Sequence, residues 1–134
     1  MSATNIDFVQ RLYGIYQKGD FEGVLNHCSP GIEWCSGASS DDFPAFGPRK
    51  GHAEVLDFFH TLSQAAEFSE FLPLDFYADK DKVFVLGTYT FRMRNGGRSV
   101  TSDWLHIFTV QDGSIVSFRE FLDTARVAEA YRAQ

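Results

Sequence analysis

The stretch DWLHIFTVQDGSIVSFREFLD, from Asp103 to Asp123, decides how this sequence folds. Apolar residues alternate on both sides of an Asp-Gly pair, which predicts two antiparallel strands joined by a tight turn. Both faces of this hairpin are largely apolar, so we expect other parts of the chain to cover both sides.

The length of the turn determines which side chains share a face. A three-residue loop, Gln111-Asp112-Gly113, with Gly113 left-handed in a bulge, pairs Val110 with Ser114. The cross-strand pairs are then Phe108–Val116, His106–Phe118 and Trp104–Glu120. One face carries Trp104, His106, Phe108, Val116, Phe118 and Glu120; the other carries Leu105, Ile107, Thr109, Ile115, Ser117, Arg119 and Phe121.

A two-residue loop would instead place His106 opposite Arg119 and Glu120 opposite Leu105. We favour the three-residue loop, because it gathers the aromatic rings, the imidazole and a carboxylate on one face. Burying a carboxylate and an imidazole among aromatic rings is costly unless they are paired or hydrogen-bonded. His106 and Glu120 are therefore either a structural polar pair or the working groups of a pocket.

Each member of this pair has a structural and a functional interpretation. Glu120 is either a polar residue salt-bridged to an arginine such as Arg92, or a general acid/base in a hydrophobic pocket. In the second case desolvation raises its pKa towards neutrality. His106 is either a satisfied core residue or a partner that orients a ligand carbonyl or shares a proton with Glu120.

Length and composition indicate one globular domain spanning residues 1–134. The chain has 134 residues, 44% of them hydrophobic and 16% aromatic, with fourteen Phe. So many rings suggest an aromatic core or a ring-lined cavity. The net charge of −6 argues against nucleic-acid binding. The two cysteines, Cys28 and Cys35, fit no zinc or thioredoxin-like spacing and are expected to be free thiols.

The order of predicted elements favours an α+β fold. Helices are expected at 6–18, 21–28, 52–66 and from 124 to about 131; strands at 32–35, 68–77, 83–93, from 98 to the hairpin, and in the hairpin itself. Thr4 or Asn5, Asp20, and Asp123 or Thr124 are the expected helix caps. Residues 37–51 read as a loop, either a functional flap or a mobile segment.

We predict neither a signal peptide nor a membrane span, and therefore a cytoplasmic protein. Because His52 and His60 lie eight residues apart on one helix and His27 stands alone, no metal site and no cofactor are expected.

Three segments resemble the SnoaL-like group of the nuclear transport factor 2-like (ketosteroid isomerase-like) superfamily. They are YxxYxxGDFEGVLNHCSPGIEW near the start, G-H-x-E-V-x-x-F-F in the middle, and DWLHIFTVQDGSIVSFREFLDTARVAEAY at the end. The resemblance implies a cone-shaped, curved antiparallel sheet with about three helices on its inner face, as in cystatin-like rolls. This superfamily contains enzymes, binding subunits and adaptors, so the fold alone does not give the function.

The resemblance narrows the candidate chemistry. At the positions of the ketosteroid isomerase catalytic residues this chain has Leu12, Ser36 and Leu105, so that mechanism is not expected. Asp123 resembles one acid of the limonene epoxide hydrolases, but 87–89, Gly-Thr-Tyr, lacks its partners. The polyketide cyclases and phenazine-pathway members are the best match. Glu120 resembles the acidic residue that both place in the last strand, and His106 resembles the histidine that the cyclases add in the preceding strand.

The favoured hypothesis is a cofactor-free isomerase, cyclase or dehydratase that acts on an apolar, carbonyl-bearing metabolite. Glu120 and His106 are its predicted catalytic residues; its predicted pocket walls, each of which could equally be core, are Trp34, Trp104, Tyr13, Tyr16, Phe118 and Phe58. The alternative is a non-catalytic binding protein for an apolar small molecule, and a protein-interaction adaptor is a third hypothesis. We also expect a homodimer through the outer sheet face, which carries Leu105, Ile107, Ile115 and Phe121.

Overall fold

The chain folds as one six-stranded curved sheet with four helices, an α+β arrangement that confirms the predicted fold class. The structure is a computed structural model, and it describes residues 2–133. The helices are α1 Ser2–Gln17, α2 Phe21–Leu25, α3 Gly51–Ala65 and α4 Thr124–Arg132. The strands are β1 Cys28–Ser36, β2 Gly47–Lys50, β3 Ala66–Asp79, β4 Lys82–Met93, β5 Ser99–Gln111 and β6 Ser114–Leu122.

The predicted meander of four antiparallel strands is present as β3, β4, β5 and β6. The sheet order is β2-β1-β6-β5-β4-β3, so β6 lies inside the sheet with β1 on one side and β5 on the other. Strand β1 runs parallel to β6, and the short β2 pairs with β1 at the edge. Any residue on the inner face of β6 is therefore flanked by two strands.

The hairpin register differs from both predicted registers. The turn has two residues, Asp112 at φ 52° and Gly113 at φ 75°, a pair of left-handed conformations that suits the strand twist. Val110 pairs with Ile115, but Thr109 pairs with Ser117, so Val116 is an extra, bulged residue.

The bulge shifts the pairing by one residue, which places His106 directly opposite Glu120. The predicted pairs His106–Phe118 and Trp104–Glu120 are wrong, but the prediction that His106 and Glu120 share a face is confirmed. Ile115 was predicted on the outer face, and this is wrong: it pairs with Val110 and is fully buried. It therefore cannot belong to an outer apolar patch.

Local signals placed most element boundaries within a few residues. Asp20 caps α2 by accepting a hydrogen bond from the Gly23 amide, and Asp123 caps α4 by accepting one from the Arg126 amide. Helix α1 already begins at Ser2, so Thr4 and Asn5 lie inside it rather than at its cap. Strand β2 was not predicted, because GPRK has neither apolar alternation nor β-branched residues.

The segment 37–46, between β1 and β2, is largely packed against the core. Phe43, Ala45 and Phe46 are all buried, and the segment is bounded by Gly37 and Gly47 with positive φ angles of 59° and 109°. The Arg49 guanidinium holds it by donating to the carbonyls of Ala45, at 2.8 Å, and Pro44, at 3.4 Å. The segment therefore forms one wall of the interior.

Gly87 has a steric role in β4. A Cβ at this position would overlap the Trp104 indole and the Leu72 carbonyl. We expect Gly87→Ala to lower the free energy of unfolding by about 1–3 kcal/mol, as overpacking does. Urea unfolding of wild type and Gly87→Ala measures this change in the free energy of unfolding.

The matched control is Gly14→Ala, at a helical position of α1 that has open space around it. Alanine there should stabilise the helix by about 0.5–1 kcal/mol. Equal effects of the two substitutions would contradict this role of Gly87.

Candidate active site

A buried polar cluster lies at the centre of the inner face, built around Glu120 of β6. Because β6 lies between β1 and β5, the register places Ser36 and His106 beside Glu120. Ser36 Oγ donates to Glu120 Oε1 at 2.5 Å, and His106 Nε2 lies 2.7 Å from Oε2. The hydroxyl of Tyr89, from β4, donates to Oε2 at 3.1 Å.

Helix α1 extends this cluster through Tyr13. Its hydroxyl lies 2.7 Å from His106 Nδ1, and the two rings stack at 5.9 Å. With the imidazole proton placed on Nε2, His106 donates to Glu120 and accepts the Tyr13 hydroxyl proton at Nδ1. The result is a continuous chain of hydrogen bonds, Tyr13–His106–Glu120, with Ser36 and Tyr89 attached to the carboxylate.

The pKa of Glu120 is lowered, which corrects the expectation that burial would raise it towards neutrality. Burial does raise this pKa, but the hydrogen bonds that His106, Ser36 and Tyr89 make to the carboxylate act in the opposite direction and outweigh it. The alternative partner Arg92 is also wrong, because Arg92 bonds Glu67 at 2.7 Å on the surface. Glu120 is therefore an ionised carboxylate at neutral pH.

The tyrosines around the cluster stay protonated. Burial, followed by the negative charge of Glu120, raises the pKa of Tyr13 and Tyr89 well above their ordinary value, and that of Tyr16 as well. These hydroxyls are neutral hydrogen-bond donors near an ionised acceptor.

The cluster forms one end of a cavity of about 70 Å³. Most of its lining residues are aromatic, and Tyr13, Ser36, Tyr89, His106 and Glu120 supply its polar surface. Such a volume holds several water molecules, but is about half of the roughly 150 Å³ that admits benzene. A ring-sized ligand therefore requires some lining residues to move.

The structure brings together most of the predicted site residues. Five of the six predicted walls border the cavity: Tyr13, Tyr16, Trp34, Phe58 and Phe118. Trp104 does not border the cavity. Its indole stacks on the face of the His106 ring, with the ring centroids 3.8 Å apart, and so positions the imidazole.

Sequence reasoning missed many residues that line the cavity, among them Ser36, Tyr89, Phe43 and Phe46. Alternation along β4, where Val85, Tyr89 and Phe91 are buried, was the available signal for Tyr89. Ser36 stands at the position of a ketosteroid isomerase catalytic residue, but a serine there gives no signal of its own for the site. Within the loop-like composition of 37–51, the two Phe residues were the signal for a buried segment.

The lowered pKa of Glu120 predicts acid sensitivity. The unfolded chain takes up this proton near the ordinary value of 4.5, whereas the folded chain takes it up only at lower pH. The stability contributed by Glu120 is thus fully present above about 4.5 and is lost as the pH falls through the folded pKa. In urea unfolding between pH 7 and 3, we expect wild type to lose stability more steeply than Glu120→Gln. Parallel curves would contradict this.

Family-level similarity is in keeping with this geometry. The model of the SnoaL-like domain matches residues 9–118. The chain belongs to the SnoaL-like family. No protein of curated function matches it.

Solved structures similar to this SnoaL-like chain share its fold over nearly their whole length. An NTF2-like protein from Burkholderia xenovorans LB400 is 28% identical, with 98% of each chain covered and a TM-score of 0.89. An NTF2-like protein from Burkholderia pseudomallei K96243 is 27% identical, with 96% and 98% covered and a TM-score of 0.85. TerC, co-crystallised with polyporic acid, is 26% identical, with 95% and 97% covered and a TM-score of 0.83.

Two further observations concern the described residues. None of the helices in 2–133 is long and apolar enough to cross a membrane. Over the same range, no three His, Cys, Asp or Glu side chains come together in a way that could hold a metal ion.

Proposed function

We propose that this chain is a cofactor-free enzyme that transfers a proton next to a carbonyl group of a small, largely apolar ligand. Glu120 is the proposed base, and His106 and Tyr13 hold it in place. One observation carries the proposal: an ionised carboxylate, surrounded by neutral hydroxyl donors, borders a cavity whose other walls are mostly aromatic or aliphatic. Such a site combines a proton acceptor with a low-dielectric environment.

The hydrogen bonds around Glu120 identify the acceptor atom. Oε2 accepts from both His106 and Tyr89, whereas Oε1 accepts only from Ser36 among the described residues. Because each carboxylate oxygen can accept two bonds, Oε1 retains one position for a substrate proton.

In the proposed step, Oε1 takes a proton from the carbon next to the carbonyl group. The electron pair of the broken C–H bond forms a C=C bond, and the carbonyl oxygen becomes an enolate. The Tyr89 hydroxyl, whose bond to Glu120 is the longest of the three at 3.1 Å, is the proposed donor to that oxygen. The enolate can then react in three ways. If the proton returns to another carbon, the ligand is isomerised; if a β-hydroxyl leaves with that proton as water, the ligand is dehydrated. If the enolate carbon attacks a second carbonyl group of the ligand, a ring closes.

A solved structure with the same fold supports a small organic ligand. TerC, whose fold covers 95% of this chain, was crystallised with polyporic acid. Stacked rings such as Trp34 and Phe118, at 4.0 Å, give this chain flat walls of the kind that pack on a ring system.

The second candidate function is a binding protein for an apolar small molecule. Its supporting observation is that the polar network is complete without a ligand. Both ring nitrogens of His106 are engaged, and the low pKa of Glu120 makes it a weak base. Such a network could serve only to keep one end of the cavity polar.

Hydrogen exchange separates the two functions. Acetophenone in D₂O exchanges its methyl protons only if a base removes them, and proton NMR follows the loss of that signal. An enzyme of the proposed class accelerates the loss above the buffer rate. A binding protein broadens the ligand signals and leaves the exchange rate unchanged.

We also propose a homodimer through the outer face of the sheet, in a cytoplasmic protein. Large apolar side chains are exposed on the strands: Leu72, Leu74, Tyr77, Leu86 and Phe121. Large apolar side chains left exposed on a sheet support a proposal of association, because contiguous apolar patches mark interaction sites. Sedimentation equilibrium measures the mass, and a monomer at micromolar concentration would contradict this proposal.

A further inference from the structure

The cavity has an unbalanced charge. Among the described residues that line it, Glu120 is the carboxylate, no Lys or Arg is present, and the basic side chain, His106, is already hydrogen-bonded to Glu120 and Tyr13. Glu120 has only 10% of its side chain exposed, so its charge is poorly screened by solvent. A second negative charge brought into this space would meet the first at low dielectric.

Arg49 does not supply the missing cation. Its guanidinium lies 5.4 Å from the ring centroid of Phe58, a cavity residue, but Arg49 itself does not border the cavity. It is held by the carbonyls of Pro44 and Ala45 and lies 3.7 Å from the Asp57 carboxylate. The positive charge of Arg49 therefore interacts with groups outside the cavity.

The donors available to a ligand are neutral. They are the hydroxyls already described and the indole N–H of Trp34, which is buried at the cavity wall without a hydrogen-bond partner among the described residues. A ketone or phenol oxygen can accept from such donors. A carboxylate or phosphate would have neutral donors but no cation to offset its loss of hydration.

We propose that Glu120 makes this cavity select uncharged ligands, so that a neutral aromatic ketone or phenol binds without a change in protonation and an aromatic acid binds only together with a proton. This selection names the substrate class of the proposed function and rests on it. The inference also gives Glu120 a role in specificity, separate from its role as a base.

The groups that face Glu120 allow one proton to be taken up with an acid. They are Ser36 from β1, Tyr89 from β4, His106 from β5, and Tyr13 and Tyr16 from α1. None of these groups brings a fixed positive charge. Binding of an anionic acid should therefore strengthen about tenfold for each unit by which the pH falls, the signature of one bound proton.

The test compares acetophenone with benzoate, which share a phenyl ring and a carbonyl group but differ in charge. Dissociation constants are measured by NMR titration at pH 7.5 for wild type, Glu120→Gln and Glu67→Gln. We expect wild type to bind acetophenone at least tenfold more tightly than benzoate. In Glu120→Gln this ratio should fall at least fivefold, whereas Glu67→Gln, which alters a surface carboxylate, should retain it.

Several results would overturn the inference. The first is a dissociation constant of benzoate for wild type within threefold of that of acetophenone. The second is an unchanged ratio of the two dissociation constants in folded Glu120→Gln, because desolvation alone would then explain the preference. The third is failure of both ligands to bind wild type. If Glu120→Gln does not fold, the wild-type titration from pH 7.5 to 5.5 decides, and a benzoate affinity independent of pH contradicts the inference. None of these measurements depends on turnover, so the exchange assay reports separately on the proposed reaction.

Discussion

Glu120→Gln is expected to slow the enzyme-dependent exchange of acetophenone methyl protons by about 10²- to 10⁴-fold, the usual contribution of a positioned general base. Glutamine has nearly the same shape but cannot accept a proton at neutral pH. The measurement is the rate of methyl signal loss in D₂O at saturating ketone, corrected for the buffer rate.

The geometry explains why this variant should fold. The amide oxygen of glutamine can take the place of Oε2 and accept from His106 and Tyr89, while its NH₂ group donates to the hydroxyl of Ser36. Replacing charge-assisted bonds by neutral ones should lower the free energy of unfolding at pH 7 by about 1–3 kcal/mol.

The control is Glu67→Gln, which removes a carboxylate bonded to Arg92 on the exposed surface. It should exchange acetophenone at the wild-type rate. If Glu120→Gln also retains that rate while remaining folded, Glu120 is not the base and another group removes the proton.

The preference for a hairpin that gathers the aromatic rings, the imidazole and a carboxylate on one face correctly predicted that His106 and Glu120 share a face, although it assumed a three-residue turn. It was not enough to predict the register. The two-residue turn alone would have placed His106 opposite Arg119, and the bulge at Val116 restores it opposite Glu120. Nothing in the residues 114–117 distinguishes a bulge there from a longer turn.

The pKa of Glu120 could not be predicted from local sequence either. Burial was foreseen correctly, but two of the partners that outweigh it, Ser36 and Tyr89, lie 84 and 31 positions away in the chain. Ser36 becomes a partner only because β1 joins β6 in parallel, a long-range pairing that no turn signal announces.

Phe43→Ala is expected to lower the free energy of unfolding by about 3–5 kcal/mol, the range for deleting a buried phenylalanine. Phe43 belongs to the irregular segment 37–46, yet it is only 2% exposed. Its ring packs against Phe46 at 5.2 Å and against Tyr131 of α4 at 5.4 Å, and it lines the cavity. Removing it takes away both a contact between this segment and α4 and part of the cavity wall.

Phe43→Ala should also change the size of the ligand that the cavity admits. A wider cavity should admit a two-ring ketone, so we expect Phe43→Ala to bind 2-acetylnaphthalene at least tenfold more tightly than wild type does. Urea unfolding and NMR titration measure the two effects. The control Gln10→Ala truncates an exposed side chain of α1, and it should change stability by about 0.5 kcal/mol or less. A loss of stability in Phe43→Ala as small as that of this control would mean that 37–46 is no part of the packed core, and unchanged ligand preference would mean that Phe43 does not limit the cavity.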